Sequence, residues 1–157
     1  MKNKLSKRMG LISAFVIFFG VLNILSFMIY AANNLGIGNV SPKVMWEDDI
    51  LAFQIFLFAG RAIFGVAINV LAIIFMLSSI RLMQSGLFFS KRNAAMLWWA
   101  APLSFLYSFC AGNMNNVYGM RNIFLTADSV FVLLLILGFA MIYNAGLRMS
   151  EENSLTI

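Results

Sequence analysis

The chain has 157 residues, of which 62% are hydrophobic, 15% aromatic and 11% charged, with 11 Lys and Arg against 6 Asp and Glu and a formal net charge of +5. Soluble domains carry about a quarter of their residues as charged side chains, so this composition excludes a water-soluble protein, and the apolar runs leave no stretch long enough for a separate soluble domain. The basic residues flank those runs and form no stripe, which argues against direct nucleic-acid binding and makes them orientation signals.

The first run, Leu11 to Ala32, is long enough to cross a hydrocarbon core of about 30 Å. Its basic start (Lys2, Lys4, Lys7, Arg8) is similar to a signal peptide. The residues three before Ala31 and Ala32 are the bulky Met28 and Ile29, a poor cleavage site, and the apolar core is long, so a retained helix over about 9–32 is expected. A turn-rich joint with Gly36, Gly38, Ser41 and Pro42 follows.

The second run, Ile50 to Ile80, is 31 residues, or about 46 Å of helix, too long for one perpendicular crossing. A helix over about 48–83 is expected, with Glu47, Asp48 and Asp49 at its start, where the helix dipole favours acids. If Arg81 marks one boundary, Arg61 lies 20 residues back at the other, its stem in lipid and its guanidinium at the headgroups. Gly86 breaks this helix, and Ser90 caps the third (91–112), with Asn93 as partner in a weak capping box. Pro102 stands inside that third helix, where it kinks the backbone or is tolerated by its neighbours.

Asn113, Asn115, Asn116 and Gly119 mark the next turn, and the run around Ser129 to Tyr143 with its flanks gives a fourth helix over about 124–149. Asp128 lies 20 residues before Arg148, so Arg61 and Asp128 are expected at one depth, where they either form an ion pair or polar cluster at the outer boundary or each meet water separately. The fold class is therefore all-α: a polytopic membrane protein of one domain, residues 1–157, built as an antiparallel bundle of four transmembrane helices.

Orientation follows from the cations. Lys2, Lys4, Lys7, Arg8, Arg81, Lys91, Arg92 and Arg148 fall on one side, and only Lys43 and Arg121 on the other. That asymmetry predicts both termini in the cytoplasm.

The site chemistry is sparse. There is no histidine and only one cysteine, Cys110, expected as a buried small side chain, and no acid lies deep inside a span. No enzyme activity, cofactor or metal site is expected. Asn23, Asn69, Ser104 and Ser108 could line a ligand cavity or hydrogen-bond between packed helices, and packing is the preferred reading. Gly60, Gly65, Ala67, Gly138 and Ala140 suit close helix approach, the dispersed methionines suit core filling, and Trp46, Trp98 and Trp99 suit membrane boundaries or packing.

Two segments resemble a family of small bacterial membrane proteins, domain of unknown function 2975. One is Ser79 to Asn93, where an apolar helix is followed by Gly86, Phe89 and the Ser90/Asn93 pair. The other is the tail GLRMSEENSLTI, Gly146 to Ile157, with Glu151, Glu152, Asn153, Leu155, Thr156 and Ile157. The resemblance covers nearly the whole four-helix pattern and brings no catalytic residues. Members are often encoded beside small helix-turn-helix regulators, so it implies a bacterial cytoplasmic membrane protein partnering such a regulator. Many relatives have a longer basic cytoplasmic loop than this chain.

The leading expectation is thus a non-enzymatic regulatory membrane partner or anchor of a helix-turn-helix transcription regulator. Its docking face would comprise Phe88, Phe89, Ser90, Asn93, Glu151, Glu152, Asn153, Leu155 and Ile157, with acids steering a basic surface. The competing reading is a small-molecule or peptide-handling protein, such as an immunity or resistance factor, and behind it a structural subunit. Besides the lipid bilayer, a homo-oligomeric partner is left open.

Overall fold

The computed structural model describes residues 2–37 and 44–155, and the side chains of residues 10–37 and 44–153. Helix α1 runs Lys2–Asn34, α2 Leu51–Gln84, α3 Lys91–Gly112 and α4 Ala127–Leu155, with a short 3-10 helix, Met114–Tyr118, between α3 and α4. The described residues contain no strand, and each of the four α-helices is long and apolar enough to cross a membrane. The chain is an all-helical, multi-pass membrane protein.

Its surface is the inverse of a soluble protein's. Phe18, Phe131 and Ile142 are exposed to 58%, 64% and 70% respectively, whereas Gln54, Asn93 and Asn113 are wholly buried. Side chains of the first kind suit a lipid surface, and those of the second kind find polar partners inside the protein, backbone groups for Gln54 and Asn113 and Ser79 Oγ for Asn93.

Consecutive helices pack against each other: α1 on α2, α2 on α3 and α3 on α4. The backbones of α1 and α4 do not approach each other, nor do those of α1 and α3 or of α2 and α4. Large rings bridge the wider gaps, with Phe27 of α1 edge-on to Tyr107 of α3 at 5.8 Å and Phe75 of α2 near Tyr143 of α4 at 6.2 Å. The bundle is a row of antiparallel helices curved around its own interior, with an open seam between α1 and α4.

Close approach depends on small residues, as expected where lipid offers no hydrophobic drive to helix pairing. A Cβ on Gly65 would lie 2.6 Å from the Phe27 ring, and one on Gly60 2.8 Å from the Cys110 sulfur. Cys110 is buried, in a cluster with Leu57, Met114 and Val117. Gly138 departs from expectation: a Cβ there meets nothing within 4 Å, so it mediates no helix contact. Pro102 is exposed, and α3 continues through it as one helix.

Several boundaries differ from the sequence reading: α1 begins at Lys2, well before position 9, and α4 begins at Ala127, after position 124. Helix α2 begins at Leu51, so Glu47, Asp48 and Asp49 precede its first turn. Helix α4 continues beyond position 149 to Leu155. A 29-residue helix is about 43 Å long, which carries its last turns past a hydrocarbon core of about 30 Å.

Candidate functional site

The end of the bundle that holds both long connections, here the cap end, is a polar clasp. Its asparagines act as backbone substitutes. Asn113 accepts from the Phe124 N–H at 2.7 Å and donates to the Phe109 and Phe124 carbonyls, and Asn116 donates to the carbonyls of Asn113 and Asn122. Gly119 turns the chain in the left-handed region at φ +89°, where only glycine is unstrained. Gln54 ties this segment to α2: it accepts from the Glu47 N–H at 2.9 Å and donates to the carbonyls of Met45 and Asn116 at 2.9 and 2.8 Å. Two of the acids ahead of α2 find a partner here, since Arg121 contacts Glu47 at 2.6 Å and Asp49 at 2.8 Å. The hydrogen bonds that Arg121 donates to Glu47, followed by the charges of the two carboxylates, raise the Arg121 pKa above its ordinary value.

Arg61 is the correction at this end. No ion pair joins it to Asp128, because α2 and α4 are not neighbours and α1 lies against α2 instead. Its guanidinium sits 4.3 Å from the centroid of the Tyr30 ring, and Nη1 donates to the Tyr30 hydroxyl at 3.1 Å. An arginine has only donors, so the Tyr30 hydroxyl accepts from Arg61, and because Tyr118 donates its one O–H to Asn34 at 3.1 Å, Tyr30 is the donor in the 2.6 Å bond to the Tyr118 hydroxyl. Cation-π contact can replace a carboxylate for a guanidinium at an apolar boundary. Asp128 is exposed in the first turn of α4, where it complements the helix dipole.

The opposite, tail end holds the 85–90 connection, the start of α1 and the end of α4. Ser90 caps α3, accepting from the Asn93 N–H at 3.1 Å. The Asn93 side chain does not complete the capping box. It is fully buried and donates to Ser79 Oγ of α2 at 3.0 Å, so Asn93 clasps α2 to α3 and leaves the expected docking face. Phe89 is half-buried, edge-on to Tyr143 at 5.1 Å and pressed over Gly146, where a Cβ would come within 2.6 Å. Tyr143 Oη accepts from the Ser90 N–H at 3.1 Å, and Lys91 pairs with Glu151 at 3.2 Å. The 88–91 segment and the last turns of α4 are therefore one surface, on which Phe88, Met149, Glu151, Glu152 and Asn153 are exposed. The side chain of Leu155, and Ile157, lie outside the described residues.

Between the two ends lies a feature that sequence reasoning assigned to packing. A cavity of about 290 Å³ touches all four helices, through Asn23 and Phe27 of α1, Gly65 and Asn69 of α2, Tyr107 and Ser108 of α3, and Val132 of α4. A second cavity of about 250 Å³ lies on the tail-end side, lined by apolar residues such as Val16, Leu71, Phe75, Met96 and Ile136. Ile68 and Ser104 line both. The polar residues of the first cavity do not bridge helices. Asn69 Nδ2 donates to the Gly65 carbonyl of its own helix at 2.8 Å, and the side chains of Asn23, Ser104, Tyr107 and Ser108 hydrogen-bond no other described residue. Asn and Ser in an apolar run were the available signal. Which of them converge depended on the α1–α4 seam, which no single helix encodes.

Among the described residues no group of three or more His, Cys, Asp or Glu could hold a metal ion. No family model matches the chain, and neither the curated proteins nor the solved structures contain a match.

Proposed function

We propose that the chain is a non-enzymatic regulatory protein of a bacterial cytoplasmic membrane, with both termini inside, that holds a small helix-turn-helix regulator at its tail end. The observation that supports this best is the continuity of α4. It runs to Leu155 without a break and is clasped to the 88–91 segment by Phe89, Tyr143 and the Lys91–Glu151 pair. A rigid helical extension with exposed Phe88 and Met149 beside Glu151 and Glu152 offers apolar anchors next to acids. That combination suits a basic partner surface, the acids contributing steering and the apolar groups contact area.

Deleting residues Ser150 to Ile157 tests the proposal. The expected result is unchanged abundance in the membrane, with the regulator captured by the purified full-length chain and not by the truncated one. If an adjacent regulator is captured equally by both forms, the docking assignment is wrong. The orientation has its own check: reporter fusions after Asn39, Gln84, Asn116 and Ile157 are expected to read outside, inside, outside and inside. An inverted order would place the tail away from any cytoplasmic partner.

The competing small-molecule reading draws its support from a different place, the cavity that touches all four helices.

A further inference from the structure

We propose that the two adjoining cavities together bind an uncharged single-chain amphiphile, with its hydroxyl or amide head among Asn23, Asn69 and Ser108 and its chain in the apolar half toward the tail end. The inference rests on the small-molecule reading of the cavity and is independent of docking at the tail.

Three features identify this ligand class. The first is unmet hydrogen bonding. Asn23 stands 13 residues beyond Gly10, near the middle of α1's span, exposed, and with no hydrogen bond to another described residue. Serines 104 and 108 and Tyr107 line the same space, also without such a bond. A helix serine ordinarily satisfies itself on the carbonyl one turn back, as Ser79 does on Phe75 at 2.8 Å. In hydrocarbon, where water is not available to replace a partner, each unmet polar group is costly. A ligand carrying both donors and acceptors supplies what these side chains lack.

The second feature is the absence of charge. None of the residues lining either cavity is ionisable as an acid or base near neutral pH. Arg61 is one turn from Gly65 on α2, but it is engaged with Tyr30 and does not line the cavity. A charged head would remain desolvated without a counter-ion, whereas a hydroxyl or amide would not.

The third is shape and access. The polar cavity adjoins the apolar one, with Ile68 and Ser104 lining both, so a polar head and a chain fit in series where those two side chains give way. Each space is small, but together they fall in the range of about 300–1,000 Å³ typical of small-molecule sites. Both α1 and α4 line the polar cavity without packing on each other, and Asn23 is exposed there, which leaves the head site reachable from the side of the bundle.

The test uses the full chain in phosphatidylcholine nanodiscs with three photoreactive probes: a monoacylglycerol, a fatty acid and a phosphatidylglycerol, each with the reactive group in its chain. The monoacylglycerol is expected to label segments 68–76 and 96–104, and excess monooleoylglycerol to displace it. Asn23→Leu with Ser108→Ala is expected to lower the displaceable labelling about fivefold or more, with thermal stability equal or higher. Ala100→Leu, which fills the apolar half, is a second variant that removes labelling without touching the polar groups. Stronger displaceable labelling by the fatty acid or phosphatidylglycerol overturns the uncharged head while keeping the small-molecule reading. Labelling that no competitor displaces, or that spreads evenly over lipid-facing α4, overturns both.

Discussion

Replacing Gln54 with leucine is expected to lower the thermal midpoint of the purified protein by about 10 °C and to open the cap end to protease. Gln54 is fully buried and holds three backbone groups: the Glu47 N–H and the carbonyls of Met45 and Asn116. Leucine keeps much of the volume and removes all three partners. An orphaned buried donor or acceptor costs about 1–3 kcal/mol, so three together exceed any gain from a more apolar side chain, which is about 1–2 kcal/mol for a core residue of this size. Gln54→Glu separates the contributions, since a carboxylate still accepts from Glu47 but cannot donate to the two carbonyls. It is expected at least as low as leucine at neutral pH, with recovery as the pH falls and the acid regains a donor. The measurement is thermal unfolding in detergent, with limited proteolysis of residues 44–50 and 113–126 as a local readout. A leucine variant within about 2 °C of the parent would show that Gln54 is not what fastens the cap.

Much of the fold was legible in the sequence because bilayer thickness is a ruler. About 20 apolar residues make one crossing, and the four runs emerge as four helices in the expected order. Single-residue readings survived where the chemistry is local: Ser90 caps α3 through the Asn93 N–H, Gly86 ends the preceding helix at φ +82°, and Cys110 is buried. They failed where the partner comes from a distant helix. Counting along α2 and α4 gave Arg61 and Asp128 similar heights but carried no information on which helices are adjacent, and α1 supplied the partner through Tyr30. Asn93 was legible as a capping residue but not as the clasp to Ser79, fourteen residues away.

The same distinction explains the cavity. Hydrogen bonding between helices was a sound expectation for Asn23, Asn69, Ser104 and Ser108 when helices are assumed to close around a common axis. Here α1 and α4 stay apart, so the inner polar faces meet space instead of one another. The cap end, by contrast, is fastened by hydrogen bonds between segments far apart in sequence, such as Tyr30 to Tyr118 and Gln54 to Asn116. A bundle closed at both ends by specific clasps can hold an open middle, because the cost of the unpacked seam falls on side chains that lipid or a ligand can cover.

Gly60→Val is expected to destabilise the bundle by about 3 kcal/mol, and the smaller Gly60→Ala to change sign with the residue opposite it. A Cβ at Gly60 would lie 2.8 Å from Cys110 Sγ and 3.2 Å from the Phe64 ring. Cys110 has no exposed surface to retreat into and is packed with Leu57, Met114 and Val117, so α2 and α3 must separate. Against that strain, alanine gains about 1 kcal/mol over glycine in a helix interior, while overpacking costs about 1–3 kcal/mol. In the parent chain the strain is the larger effect, and Gly60→Ala is expected to lower stability modestly. In a Cys110→Ala background the sulfur is gone and the helix preference remains, so the same substitution is expected to raise stability by about 1 kcal/mol. The four proteins form a double-mutant cycle whose coupling reports this one contact. Unfolding midpoints in detergent give the sign directly: if Gly60→Ala destabilises both backgrounds equally, the close approach of α2 and α3 does not depend on the Gly60–Cys110 contact.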